Sequence, residues 1–379
     1  MNYPVIDLFS GAGGLGLGVT AAGGDLRLSV ELNELACMTM KSNPKYHKGK
    51  VVCADVRNLT GEMLKEEAGL KSYEKFFIVG GPPCQPFSKA SYWTDPGNES
   101  KYRRAKSLGE VLEKPEAITE AKEDERRSLI FEFYRLIKES DPEGFLFENV
   151  PSILHPRNKK LFENFRNSMH ELGYLTTFVK VNGLNHGIAQ KRLRVILLGL
   201  KERKPSSPEI THTDDPQLLD KGYLPIVTPS EVLSSFRSNN FFEEEEVIKG
   251  KWASQFMEIP PGMNYKALTA WAGHPNPSFI AETRFWNFLL KLHPYKPSWT
   301  IAASPGPWTG PFHWDNRRLR IPELAVLQGF PGDYKFCGSR REQVKQIGNA
   351  FPCHIAKACM NSLFGKNSKL NPELLYEVG

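Results

Sequence analysis

The chain has 379 residues, 40% hydrophobic and 24% charged, with 49 Lys and Arg against 43 Asp and Glu for a formal charge of +6. That length exceeds what one hydrophobic core usually holds, so a large and a small domain are expected. No run of eighteen or more apolar residues occurs, and the opening MNYPVIDLFS has neither a basic start nor an apolar core, so neither a helical membrane span nor a signal peptide is expected and the reading is a cytoplasmic protein.

Short apolar runs alternate with amphipathic stretches through the first two hundred residues, the pattern of a parallel sheet covered by helices. Strands are expected at 5–9, 27–31, 50–53, 76–80, 144–148, 176–181 and 193–200. Helices are expected at 14–22, 35–42, 128–139 and 159–172. The runs FFIVG and VILLGL are apolar throughout, which fits strands buried on both faces. A polar segment at 89–127 interrupts the rhythm and reads as a long insertion of the kind that forms lids. From 201 to about 295 Pro, Ser and Asn rise and the βα pattern stops, marking a smaller irregular domain. Regular patterning returns at Leu319, and a last helix is expected at 352–364. No internal repeat is present.

The positive excess is mild and fits a nucleic-acid partner without requiring one. Basic clusters at 101–106, 190–194 and 316–320 each read first as solvated faces. The six cysteines (Cys37, Cys53, Cys84, Cys337, Cys353 and Cys359) form no CxxC pair and no zinc spacing, so free thiols and no metal site are expected.

The chemistry-bearing strings lie at strand ends. In DLFSGAGGLGLG a strand enters a glycine-rich turn and then a helix, which lets backbone N–H groups approach a ligand. Taken alone, that turn also fits a dehydrogenase. Glu31 ends the second expected strand, where an acid commonly holds ribose hydroxyls, and Asp55 closes the third. Each alone could be an ordinary exposed carboxylate; together along one sheet edge they point to an adenosine-containing cofactor. GGPPCQPFS follows the fourth strand and stiffens the turn around Cys84 with Pro82, Pro83 and Pro86. A thiol at the carboxyl edge of a parallel sheet sits where ligands bind, and its thiolate is a strong nucleophile, although an inert buried cysteine is the commoner reading of such a residue. FLFENV places Glu148 on the same edge, where a helix-capping role is the alternative. In QKRLR alternation puts Arg192 and Arg194 on one face, as site residues or as phosphate or solvent contacts.

In order along the chain, DLFSGAGGLGLG, GGPPCQPFS, ENV, QKRLR, RRLRIPELAVLQGFP and QIGNAFP resemble the cytosine-5 DNA methyltransferase family, of the prokaryotic modification type, over nearly the whole length. The resemblance implies a Rossmann-like S-adenosylmethionine-dependent α/β domain at 1–203, a target-recognition domain at 204–314, and a C-terminal segment at 315–379 that returns to complete the first. It implies S-adenosylmethionine binding by Phe9, Gly11, Gly13, Gly14, Glu31, Leu32, Asp55, Val56, Pro82 and Asn349. Cys84 would be the nucleophile, Glu148 would contact the cytosine ring nitrogen and amino group, and Arg194, with Arg192 beside it, the carbonyl oxygen. Double-stranded DNA is the implied partner of a monomer working at the nucleoid, with restriction or defence-system components as possible companions.

Three departures from the family pattern stand out. Pro322 precedes Glu323 where an arginine is usual, which puts local packing in question. Phe351 replaces a usual valine and is expected to reshape the cofactor rim, and the insertion after Cys84 is long. The branch of the family that methylates tRNA carries a Cys-Phe-Thr string that is absent here. A silent DNA-binding regulator fits poorly with intact Pro-Pro-Cys, Glu-Asn-Val and Gln-x-Arg-x-Arg strings. For base recognition the candidates are Trp252, Trp271, His274, Asn276 and Trp308, and Thr300 resembles a threonine the family uses near the DNA backbone.

Overall fold

The computed structural model describes residues 2–84, 87, 96–115, 124–236, 246–280, 286–303 and 306–366. Its frame is a seven-stranded sheet. In chain order the strands are β1 (Pro4–Leu8), β2 (Asp25–Glu31), β3 (Lys50–Cys53), β4 (Phe77–Gly80), β5 (Gly144–Asn149) and β6 (Leu175–Asn182), then, after the two-residue β7 (Gln190–Lys191), β8 (Leu193–Leu200). The spatial order is β3-β2-β1-β4-β5-β8-β6.

Side-chain alternation divides this sheet between two cores. Ile6, Leu8, Ile78, Phe145, Phe147 and Leu197 face one way, while Val5, Phe77, Val79, Leu146, Ile196 and Leu198 face the other. Helices α3 (Gly61–Glu67), α5 (Leu129–Ser140) and α6 (Pro156–Glu171) cover the first face with Leu64, Phe133, Leu136, Phe162, Phe165 and Met169. In α5 the spacing of Ile130, Phe133, Leu136 and Ile137 makes the apolar stripe that requires this burial. Truncating Phe133 there costs about 3–5 kcal/mol. The second face is covered by α1 (Gly14–Ala21) and the C-terminal α9 (Cys353–Phe364), through Leu15, Val19, Ile355, Met360 and Leu363. α9 thus packs back against α1 on that second face. α2 (Glu34–Lys41) lies beside β2 and β3.

The expected all-parallel sheet is corrected at one edge. β1 to β5 are parallel, but β8 inserts antiparallel between β5 and β6. The cause is the connection. Between β6 and β8 the chain makes one 3-10 turn, Gly183–His186, and β7, too short for the crossover a parallel pair needs. Sequence patterning also missed α3, α4 (Pro96–Ser107) inside the polar insertion, and α7 (Ile321–Gln328) and α8 (Arg340–Asn349) near the C-terminus.

Within 204–314 the described helices and 3-10 turns are six residues or shorter, and a separate core forms around Ile248, Phe256, Tyr265, Leu268, Leu289 and Phe312. Leu233, Leu292 and Ile301 instead join Leu319, Leu324 and Ile347 of the returning segment. No described helix is long and apolar enough to cross a membrane.

Candidate active site

The carboxyl ends of β1, β2, β4 and β5 open onto a cavity of about 370 Å³, within the range of small-molecule sites. Phe9, directly after β1, has φ of 57°, a left-handed conformation rare for a bulky residue, and it lines the cavity. Gly11, also left-handed at φ 55°, presents an open face: a Cβ there would meet nothing within 4 Å. Its N–H donates to Glu31 Oε2 at 2.8 Å, while Glu31 Oε1 accepts from the Asn33 N–H at 2.8 Å. The Glu31 carboxylate is therefore fixed by the turns after β1 and β2, with lone pairs left for a ligand.

Leu32 lies on the rim, 63% exposed although apolar, opposite the buried Val56. Asp55 caps the turn Val56–Asn58 and forms a bidentate pair with Arg57. Pro82, Cys84, Glu148, Arg194 and Asn349 complete the wall. Of the expected cofactor set, Gly13 and Gly14 do not line the cavity. A Cβ on Gly13 would collide with the His47 ring, and one on Gly14 with the Phe351 carbonyl, so both allow packing behind the turn. Phe351 is buried in the core against α1 and α9, and its side chain does not line the cavity.

Cys84, Glu148 and Arg194 converge where β4 and β5 end and β8 begins. Arg194 Nε lies 2.7 Å from Glu148 Oε1, with the two side chains 9% and 12% exposed. Gly81 allows the Cys84 turn to pass this pair, since a Cβ at Gly81 would sit 2.6 Å from Glu148 Oε2. Asn149 pins the turn to β5: its Nδ2 donates to Pro82 O at 3.3 Å and its Oδ1 accepts from the Val150 N–H at 2.9 Å. Burial pushes the Glu148 carboxyl up, against the pull of Arg194 and Arg192, which favours the protonated acid. Burial also pushes the half-buried Cys84 thiol up; Arg194 draws it down, Glu148 adds to the rise, and Arg192 opposes it.

Arg192 lies outside the cavity wall. It is fully buried and donates through Nη2 to the carbonyls of Gly348 and Ala350 at 2.8 and 2.9 Å, holding the chain beyond α8 against β7. Gln190 works beside it, donating to Leu327 O and Gln328 Oε1 and accepting from the Ile301 N–H. Thr300 donates to Lys191 O at 2.7 Å, which places it against the same strand. Sequence reasoning missed the inward face of α8, where Glu342, Lys345 and Gln346 join Asn349 on the wall, and it missed Asn33, Arg57 and Leu129. The Asp55-x-Arg57 spacing was a readable signal; the face of α8 was not.

The Pro322 departure has a structural answer. Glu323 takes its guanidinium from Arg317, at 2.8 and 2.7 Å, and accepts the Arg320 N–H at 2.7 Å. Pro322 occupies the first turn of α7, where no N–H is needed. Glu246, fully buried, receives Arg320 Nε at 2.7 Å and lies 3.5 Å from Arg317, so the network ties the chain at Glu246 to α7.

The donor set fits an adenosine-bearing cofactor: a fixed carboxylate for hydroxyls, apolar Leu32 and Val56 for a ring, and Asp55 for an amino group. A thiol, a buried acid and a guanidinium adjoin it. This defines a Rossmann-like fold with a cysteine thiol at the wall of a nucleotide-type pocket. The sequence model of C-5 cytosine-specific DNA methylases matches residues 3–365, and the chain belongs to that family. It is a DNA cytosine-5 methyltransferase, similar to modification enzymes. Type II methyltransferase M.SacI of Streptomyces achromogenes is 32% identical, over 96% of this chain and 93% of that protein. M1.HphI of Haemophilus parahaemolyticus is 27% identical over 97% and 88%. The Entamoeba histolytica methyltransferase EhMeth shares the fold, with TM-score 0.61 at 16% identity over 97% of this chain and 100% of that one.

Proposed function

We propose that Cys84, Glu148 and Arg194 methylate a cytosine flipped out of duplex DNA within one short sequence, for protection of host DNA. The observation that carries this reading is the Glu148–Arg194 pair beside the Cys84 turn at the wall of the cofactor cavity. S-adenosylmethionine, held by Phe9, Gly11, Glu31, Leu32, Asp55, Val56, Pro82 and Asn349, supplies an electrophilic methyl group. Cys84 gives up its proton and its sulfur bonds to carbon 6 of the ring, pushing electron density onto carbon 5. Glu148, as the acid, donates to the ring nitrogen while the Arg194 guanidinium offsets charge on the carbonyl oxygen. After carbon 5 takes the methyl group, solvent removes the carbon-5 proton, and the carbon 6–sulfur bond breaks with its electrons returning to Cys84, which regains a proton. The ring nitrogen gives its proton back to Glu148, restoring the aromatic ring. Arg192 acts as a positioning residue through the carbonyls of Gly348 and Ala350.

In this reading 1–203 and 315–379 form the catalytic domain and 204–314 the recognition domain of a monomer working on DNA in the cytoplasm. Extrusion of the base costs a few kcal/mol, to be met by contacts from the recognition segment. The test is methyl transfer from labelled S-adenosylmethionine to unmethylated duplex DNA by wild type and Cys84→Ala, followed by mapping of 5-methylcytosine. One short methylated motif for wild type and none for the variant is expected. Labelling of tRNA in place of DNA would overturn the substrate, and labelling by Cys84→Ala would overturn the nucleophile.

A further inference from the structure

Behind the glycine turn, away from the cavity, two buried side chains are hydrogen-bonded in series to its backbone. Tyr334, from the stretch between α7 and α8, donates its hydroxyl proton to Ala12 O at 2.6 Å. His47 Nε2 lies 2.8 Å from the same hydroxyl. Because the tyrosine proton goes to the carbonyl, the tyrosine oxygen accepts from the ring, and this selects the tautomer with hydrogen on Nε2. Burial keeps the His47 ring neutral, so that N–H is its one donor, and Nδ1 has no hydrogen-bond partner among the described residues. The same ring fills the space that a Cβ on Gly13 would need.

Both side chains are held from outside the turn. Asn43 clamps Lys335, donating through Nδ2 to its carbonyl at 2.7 Å and accepting its N–H at 2.9 Å. The Tyr334 ring packs between Phe330 and Phe336, with centres 4.9 and 5.1 Å away. The turn, by contrast, runs against backbone preference, since Phe9, Gly11 and Gly13 are all left-handed. Ala12 sits between the two glycines and lines the cavity, next to the Gly11 N–H that holds Glu31. An anchor on the Ala12 carbonyl therefore fixes the peptides that face a ligand.

We propose that Tyr334 and His47 are positioning residues for S-adenosylmethionine, acting through the Ala12 carbonyl to hold the Gly11–Gly13 turn in its cofactor-binding form. The role rests on S-adenosylmethionine being the ligand of that cavity. Neither side chain lines the cavity, so the pair acts on the turn and not on the reacting atoms. It favours cofactor and demethylated product alike, which changes affinity and leaves the chemical step alone.

The experiment titrates the full chain calorimetrically with S-adenosylhomocysteine and measures steady-state kinetics on unmethylated plasmid DNA. The variants are Tyr334→Phe, His47→Leu, His47→Gln and Tyr174→Phe. Tyr174 is the control: its hydroxyl is as buried, donates to Pro142 O at 2.7 Å, and does not line the cavity. Tyr334→Phe is expected to weaken binding about five- to tenfold and to raise the KM for S-adenosylmethionine equally, the size of one lost hydrogen bond. At saturating cofactor, kcat and the KM for DNA should stay within about twofold of wild type. His47→Leu should match that loss, and His47→Gln, which keeps an N–H donor, should restore most of the affinity. Tyr174→Phe should lower the unfolding midpoint and bind like wild type. The Kd does not depend on the folded fraction, which appears in the stoichiometry, so a destabilised variant still reports. Wild-type affinity in Tyr334→Phe, or an equal loss in Tyr174→Phe, would overturn the proposal in favour of packing alone. Failure of the wild type to bind would overturn the cofactor assignment, and this role with it.

Discussion

At the sheet edge Cys84, Glu148 and Arg194 stand on a seven-stranded frame whose ladder satisfies the backbone, so a few side-chain bonds fix the geometry. Among its described residues, the segment between 246 and 312 has no such frame. Phe256 meets Phe312 edge to face with ring centres 4.8 Å apart and Tyr265 meets Phe279 at a tilt at 5.1 Å, while Glu246, Arg317, Arg320 and Glu323 brace it against α7. One region is held by repetition and the other by individual contacts. The comparison teaches that a variant at the edge should lose chemistry and keep its fold, whereas a variant in the other region should lose local stability first.

The largest expected effect is at Cys84. Cys84→Ala should lower kcat by about 10³ or more, while the unfolding midpoint stays near wild type. A collapse of the midpoint would break the comparison. Glu148→Gln should cost on the order of 10² to 10³ in kcat. It should also remove the basic limb that a buried acid gives the rate–pH profile; an unaltered profile would rule Glu148 out as the acid.

Where the 246–312 segment is braced against α7, Arg317→Met strips the buried Glu323 carboxylate of its guanidinium, while Glu246 keeps Arg320. The cost should be about 3–5 kcal/mol, read by denaturant unfolding. Hydrogen exchange should rise first around 246–260, and uniform exchange would mean that the two regions unfold as one.

The smallest effect sharpens the comparison through pH. Burial holds His47 behind the glycine turn, and His186 and His212 where the turn Gly183–His186 meets the strand His212–Thr213, at pKa values of about 4. Between pH 6.5 and 4 the unfolded chain binds more protons than the folded one. Stability is therefore full above about 6.5 and falls as the pH drops toward 4. Melting temperatures measured across that window should decline, and His212→Gln should flatten the decline. A flat wild-type profile would mean that these rings are not held neutral.

The sequence by itself determined most of the sheet and which residues line its carboxyl edge. Continuous apolar runs located β4, β5 and β8, and Cys84, Glu148, Arg194, Glu31, Leu32 and Asn349 were readable because each sits at or beside a strand end or helix end within a short string. These features are local, set by chain period and turn chemistry. Tertiary structure decided the rest. The antiparallel placement of β8 depends on which edge is open when the short connection ends. The inward role of Arg192 depends on where α8 delivers the carbonyls of Gly348 and Ala350. The partner of Glu323 is Arg317 because the chain bends before α7, and Trp271 meets Lys106 across about 165 positions of sequence. A linear pattern specifies what a residue can offer, but packing of distant segments decides what receives it.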